Sequence, residues 1–309
     1  MSNDLRNSMR VGIVHFMLYP ATSSGNGPIL ETIREIAQDE FFDVIELTHI
    51  EDSALRKKAT EIVSEAGLQL AYATQPLVLG QKLNLHSRDS EERQKALRVM
   101  FSGLEEAVEM EAVGFATMSG TIPAQDAIEE ETKLFIDSLN QICKRGQELN
   151  PAMNIVVETF DNVPFGKNCL VGPTAEAVKL AREVQKDYPN FGLMLDLSHL
   201  PLLEESSTTA IQTAAPVLRH AHIGNCVMTN PENPYYGDNH PPFGYPDSEN
   251  DLEELIEYLL ALRDVGFLND QNPPIVTIEA KPLNDEMRPA VIGNIKRTLN
   301  RAIRRINAM

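Results

Sequence analysis

Short apolar runs alternate with longer amphipathic stretches along the whole chain. Val11–Met17, Asp43–His49, Leu68–Thr74, Phe115–Met118, Asn154–Phe160, Phe191–Leu195, Val217–Ile223 and Ile275–Ala280 read as strands. They are rich in Val, Ile and Leu and lack a solvated face, as buried parallel strands should. Between and after them, apolar positions recur at helical spacing. The predicted helices are Ile29–Gln38, Ser53–Ala66 with Gly67 as its stop, about Ser90–Glu111, Ala127–Glu148, Thr174–Lys186 with Pro173 near its start, Thr208–Ala215, Asn250–Asp264 and Arg288–Ile306. Eight alternating units point to a closed (β/α)8 TIM barrel, an α/β fold. A doubly wound sheet would normally carry a glycine-rich phosphate loop after its first strand, and Ser24-Gly-Asn-Gly27 does not fit that pattern. No linker, repeat or low-complexity tract divides the chain, so residues 1–309 are expected to form one domain.

One connection is too long to be only a connector. Between His222 and the helix at Asn250 lies a segment with Pro231, Pro234, Pro241, Pro242 and Pro246, and three of the seven tyrosines. A long loop after a barrel strand usually covers or builds the active site.

Composition then narrows the function classes. Apolar residues are 42% and charged residues 23% of 309, which suits a soluble globular protein. Lys plus Arg number 27 against 45 Asp plus Glu, a formal net charge of −18. Phosphate-backbone binding needs a basic stripe, and the chain has none. Nucleic acid and anionic membrane are therefore not expected partners. Cys143, Cys169 and Cys226 are scattered and form no CxxC pair, which argues for a reducing compartment. The Met1–Arg10 segment is polar, no apolar run reaches membrane-spanning length, and a cytoplasmic location is expected.

Candidate chemistry concentrates at strand ends, where a barrel builds its active-site mouth. The fifth run closes in Ile155-Val-Val-Glu158, the sixth in Leu193-Met-Leu-Asp196 followed by Leu-Ser-His199. The seventh is Arg219-His-Ala-His222, and the eighth closes in Ile275-Val-Thr-Ile-Glu279. Three carboxylates and an imidazole converging without nearby bases would repel one another unless a cation neutralised them. A divalent metal is the economical answer, and an oxygen-rich set with one imidazole suits Mn²⁺, Mg²⁺ or Co²⁺ better than structural Zn²⁺. His220 has the parity of His222 and is expected to support it from deeper in the barrel. Arg219 has the opposite parity. Such a metal can grip a carbonyl and a neighbouring hydroxyl, acidify the adjacent C–H and stabilise an enediolate. Glu158 and Glu279, on opposite sides of a sugar, could remove and return the proton.

The succession VVETFD, LMLDLSHLP, HAHIGN and IEAKP resembles the xylose isomerase-like TIM barrels, the sugar phosphate isomerase/epimerase superfamily. The resemblance spans nearly the whole chain and includes Glu46 in Val44-Ile-Glu-Leu and Leu83-Asn-Leu-His-Ser-Arg-Asp. It implies a single divalent metal (Mn²⁺ first, with Mg²⁺, Co²⁺ or Zn²⁺ as alternatives) on Glu158, Asp196, His222 and Glu279. It further implies Glu158 and Glu279 as acid/base pair, and His199 as a substrate contact. Ketose 3-epimerases of that superfamily commonly carry an arginine shortly after the seventh-strand histidine. Here Gly224-Asn-Cys-Val-Met-Thr-Asn-Pro has none. The segment from His222 to Asp251 is instead similar to the α subunits of C-glycoside deglycosidases, which eliminate the aglycone from 3-oxo-glycosides and pair with a small β subunit.

Two further classes share the fold. Asp196-x-x-His199 and Asp238-x-His240 echo the ligands of endonuclease IV-like barrels. But Thr74-Gln75-Pro76 and Met118-Ser119-Gly120 stand where that family needs histidines. A metal-free binding or scaffold barrel would have little reason to keep four metal-type residues at four strand ends. The expectation is therefore a metal-dependent sugar isomerase or epimerase, with elimination from a 3-oxo-glycoside as the alternative. The partner is a small carbohydrate, with a homo-oligomer or a small β subunit as further possibilities. Other candidate substrate contacts are His240, Gln75, Lys281 (which shares the parity of Glu279) and the ring of Phe243, alongside Phe160 and Tyr235. His15, His49 and His86 read as core or loop histidines.

Overall fold

A computed structural model describes residues 4–161 and 165–309. Residues 1–3 of the polar N-terminal segment lie outside the described residues. Eight parallel strands close into a barrel in chain order: β1 Arg10–Val14, β2 Val44–Leu47, β3 Gln69–Ala73, β4 Gly114–Thr117, β5 Asn154–Glu158, β6 Phe191–Asp196, β7 Leu218–Ile223 and β8 Ile275–Ile278. β1 pairs with both β2 and β8, which completes the ring. The principal helices are α1 Ile29–Ala37, α2 Ser53–Glu65, α3 Ser90–Glu109, α4 Ile128–Leu149, α5 Thr174–Gln185, α6 Ser207–Ala214, α7 Leu252–Asp264 and α8 Arg288–Asn307. The eight units of the sequence reading are all present.

Side chains alternate between two environments, because successive strand residues point to opposite faces. Ile13, Ile45, Tyr72, Phe115, Ile155, Val157, Leu193, Leu195, Val276 and Ile278 join one large core between strands and helices. Residues of the other parity face the barrel axis. There Ala116, Val156 and Met194 form a small interior cluster, and Val14, Phe16 and Ala73 another. Above these lie the polar strand ends. Gly12 is required by this packing: a Cβ there would stand 2.5 Å from Thr277 Oγ1 on the neighbouring strand.

Three local differences from the sequence reading bear on the site. The first strand stops at Val14 and the chain turns into a short helix, His15–Leu18, rather than running to Met17. His15 is thereby buried outside the mouth, its Nε2 2.8 Å from Thr32 Oγ1, and burial pushes its pKa down to about 3. Secondly, β3 ends at Ala73, and Gln75 opens a short helix, Gln75–Gly80, with Pro76 in its first turn. Thirdly, a register shift between β6 and β7 pairs Leu193 with Leu218 and Met194 with His220. Arg219 is the extra residue of this bulge, so strand parity does not set its direction.

Candidate metal centre and acid–base site

The four strand-end candidates converge. Donor atoms of Glu158, Asp196, His222 and Glu279 all lie within 4.8 Å of one another. His222 Nδ1 stands 3.0 Å from Glu279 Oε2, 3.8 Å from Glu158 Oε1 and 3.9 Å from Asp196 Oδ2. Asp196, Glu158 and His222 are buried, and Glu279 keeps a 12% exposed side chain. Glu158 Oε1 and Asp196 Oδ2 are buried oxygens without a hydrogen-bond partner. Buried polar atoms are normally paired, so two orphaned carboxylate oxygens beside one imidazole and a third carboxylate fit the donor set of a cation. The other oxygens are fixed: Gln75 Nε2 donates to Glu158 Oε2 at 2.7 Å, and the Ser198 amide donates to Asp196 Oδ1 at 2.7 Å. An oxygen-rich set with one imidazole suits a hard divalent ion.

Support for His222 comes from inside the barrel. Its Nε2 lies 3.2 Å from both carboxylate oxygens of Glu46, and His220 Nε2 lies 2.8 Å from Glu46 Oε1. A carboxylate on the far imidazole nitrogen sets the tautomer, which leaves Nδ1 free to face a metal. Glu46 has the inward parity of β2, a signal the sequence carried. Its role as the partner of His222 became visible only when β2 and β7 met across the barrel.

A second polar group lies beside the first. Asp238 Oδ1 stands 3.2 Å from His199 Nε2 and 2.9 Å from His240 Nε2, while Lys167 Nζ pairs with Asp238 Oδ2. His199 Nδ1 donates to the Thr159 carbonyl at 2.7 Å, and its Nε2 is left without an aligned partner. Asp196, His199 and His240 also come within metal-chelating distance of one another. His240 takes a left-handed conformation, φ +49°, and its Nε2 lies 3.3 Å from Glu279 Oε1. The long segment after β7 delivers Asp238 and His240. It is pinned by Asn225 and Asn250, and by Tyr235 Oη donating to the Lys281 carbonyl. Lys167 was missed at the sequence level, because it sits in an irregular loop with no periodicity to aim it.

The electrostatics separate the two glutamates. Burial raises the Glu158 pKa to about 7, with the Glu279 and Asp196 carboxylates adding to it and His199 and His222 opposing it. Burial also works to raise Glu279, but His240 and His222 overcome it and hold the group at about 2. In His199, burial favours the neutral ring, yet Asp238 wins and lifts the imidazole to about 10.

A cavity of about 400 Å³ opens above these groups. Glu158, His222, Glu279, Gln75, Lys281, Lys167 and Phe160 line it, with apolar Phe16, Met17, Pro20 and Leu79 opposite. Phe160 packs on the His199 ring at 4.5 Å between centroids. Phe243 is not part of this wall. Its backbone is tied to Asn294 on α8 in both directions, and the ring packs into the main core. Tyr235 is likewise buried and structural. His49 pairs with Glu106 and His86 with Glu131, away from the mouth.

Among curated protein sequences none matches this chain. Solved structures do. A D-psicose 3-epimerase from Clostridium cellulolyticum H10, solved with D-tagatose, matches at 17% identity over 96% of this chain and 97% of that one, with a TM-score of 0.67. An IolI protein with a bound zinc matches at 17% identity over 96% and 98%, TM-score 0.71. A 3-keto-D-glucoside 4-epimerase from E. coli, YcjR, matches at 17% identity over 95% and 98%, TM-score 0.65. At such identities the likeness is one of fold. The family model described as xylose isomerase-like TIM barrel matches residues 34–287, and with its eight-stranded barrel the chain belongs to that family.

Proposed function

We propose that this protein is a divalent-metal-dependent sugar isomerase or epimerase. The carrying observation is the convergence of Glu158, Asp196, His222 and Glu279 with two orphaned carboxylate oxygens at the floor of a sugar-sized cavity. These four residues would hold one divalent ion, Mn²⁺ being our first candidate. Bound there, the ion would supply Lewis-acid polarisation of a substrate carbonyl. The D-tagatose bound by the clostridial neighbour makes a ketose the first substrate to try.

The protein's own groups supply the proton chemistry. Glu279, held at about 2, is ionised at neutral pH and is therefore free to accept the proton next to the carbonyl. Glu158, raised to about 7, keeps a proton for part of the time and suits the group that returns one. Gln75 holds Glu158 Oε2, which leaves Oε1 facing the cavity. Return to the opposite face of the same carbon inverts it. Return to the neighbouring carbon of the enediolate interconverts aldose and ketose. Lys281 and Gln75, which line the cavity, would orient substrate oxygens, while His199 and His240 lie buried behind it, beside Glu158 and Glu279. The apolar side of Phe16, Met17 and Phe160 keeps water from the transferred proton.

The apolar wall also favours a second reading. Leu79, 44% exposed at the cavity, with Phe16 and Met17, offers a surface for an aglycone. With a 3-oxo-glycoside the same base would give elimination, in which case a small β subunit is an expected partner. The three buried, unpaired thiols favour a reducing, cytoplasmic setting, and no helix among the described residues is long and apolar enough to cross a membrane.

The test begins with metal content of wild type and His222→Ala, and continues with D-fructose, D-tagatose and a 3-oxo-glycoside in the presence of Mn²⁺. About one ion per chain, lost in the variant, and conversion of a ketose to its 3-epimer or aldose would support the first reading. Aglycone release without ketose conversion would favour the second. No metal uptake from excess Mn²⁺ would overturn both.

A further inference from the structure

The opposite end of the barrel holds a second cavity that shares no lining residue with the first. A (β/α)8 interior is ordinarily filled by layers of branched side chains. Here the inward residues Ala71, Gly114 and Ala116 carry almost no side chain. A cavity of about 410 Å³ therefore runs from the N-terminal face of the strands up to Glu46 and His220. That is the size of a small-molecule pocket.

Two guanidinium groups stand at its mouth. Arg10 opens β1, and Arg219 sits on β7. Only β8 separates them, so their backbones are two strand spacings apart, roughly 10 Å. Arg219 is the second residue of β7, at its N-terminal end and in the bulge, and Gly192 makes room for it: a Cβ at Gly192 would lie 2.3 Å from Arg219 Cγ. Both guanidinium groups are positioned without being neutralised. Arg10 Nε donates to the Pro273 carbonyl at 2.7 Å and its Nη1 to the Gln69 side-chain oxygen. Arg219 donates to the Leu218 and Pro189 carbonyls. Among the described residues neither lies within ion-pair distance of a carboxylate.

We propose that this lower cavity binds a small organic oxyanion, a polyol or sugar bearing a phosphate or carboxylate at one end, with Arg10 and Arg219 as its charged contacts. A planar guanidinium matches an oxyanion in two parallel hydrogen bonds, which carbonyl partners do not use up. The cavity is much larger than a lone inorganic ion. The Glu46 carboxylate at its inner end repels a second negative charge, so the hydroxylated end of the ligand points inward and the acidic end stays at the mouth. Asn154, Asn269 and Asn272 line the same rim.

The test uses the purified protein and equilibrium binding at constant ionic strength. The probes are inorganic phosphate, glucose 6-phosphate, gluconate and, as neutral control, glucose. Saturable binding of glucose 6-phosphate or gluconate, but not of glucose, is expected, and the stronger of the two identifies the acidic head group. Arg10→Gln/Arg219→Gln should weaken it at least tenfold, while Lys281→Gln, whose side chain lines only the upper cavity, should retain it. If the double variant fails to fold, Arg219→Gln alone should weaken binding severalfold. No saturable binding at millimolar probe overturns the proposal. So does binding that survives the arginine substitutions, or that is lost in Lys281→Gln. None of these outcomes depends on the catalytic reading.

Discussion

Glu46 is an acid buried to 1% exposure with two histidines as its partners and, among the described residues, no Lys or Arg in ion-pair contact. The physical sense of this arrangement is to hold His222 in one tautomer. We predict that Glu46→Gln weakens divalent-metal binding by about 10- to 100-fold, as losses of such supporting partners do. Competition with a metal indicator would measure it, and an unchanged affinity would remove Glu46 from the site. The two glutamates make a separate prediction. Glu158→Gln and Glu279→Gln should each lower turnover by about 10²- to 10⁴-fold, the usual worth of a positioned acid or base, and kcat on the active sugar checks it. Metal must also compete with protons here. Glu158 holds its proton up to about 7, and against the opposing effect of burial the surrounding carboxylates hold the His222 imidazole proton well above its ordinary value, so metal affinity should rise from pH 5 through pH 7 and go on rising above it, by up to about tenfold per unit for each proton displaced. A titration of Mn²⁺ affinity against pH would show the slope. His199 titrates in the other window. Its proton is held to about 10 in the folded protein against the ordinary imidazole value of 6.5, so its contribution is complete below 6.5 and fades as pH rises toward 10. Metal-free protein should lose urea stability across that range, and His199→Gln should flatten the decline.

At the scale of elements, strand parity was the most informative property of the sequence. Strand ends put Glu158, Asp196, His222 and Glu279 at the mouth, parity grouped His220 with His222 and Lys281 with Glu279, and all of these now line the barrel interior or its mouth. Parity failed where the backbone departs from a regular ladder. Arg219 lies in a bulge, and His15 and Gln75 lie past the true strand ends, in short helices. Phe243 sits in the long segment after β7, where no period tells an inward ring from one packed on a helix. That segment itself is braced by Asn250, whose side chain is buried and donates to the Leu197 and Gly224 carbonyls. Asn250→Ala would strand both carbonyls, at a cost of about 1–3 kcal/mol. We expect a correspondingly lower urea midpoint, together with impaired turnover as Asp238 and His240 lose their seat.

For the molecule as a whole, charge and architecture act on different properties. A formal charge of −18 surrounds the barrel, and several of its cationic side chains are already paired with surface carboxylates. Such a surface repels a polyphosphate and supports solubility. The chain should show no retention of duplex DNA even at about 50 mM salt, where such binding is strongest. A filter or gel-shift assay would check this, and retention would reopen a nucleic-acid role for the Asp196, His199 and His240 group. The closed barrel also gives the chain two independent cavities at opposite ends of one axis, joined by Glu46 and its histidines.

The sequence by itself determined the order and kind of the eight units, because apolar periodicity is a local property and each strand and helix declares its own. It also determined which residues stand at the mouth, since a strand end and its parity follow from the same run. Only the tertiary structure decided who meets whom across the axis. Glu46 joined His222, Lys167 joined Asp238, and Arg219 turned to the lower mouth, through closure of the ring, loop paths and a single bulge. These are long-range contacts between segments far apart in the chain, and no local pattern of hydrophobic and polar residues encodes them.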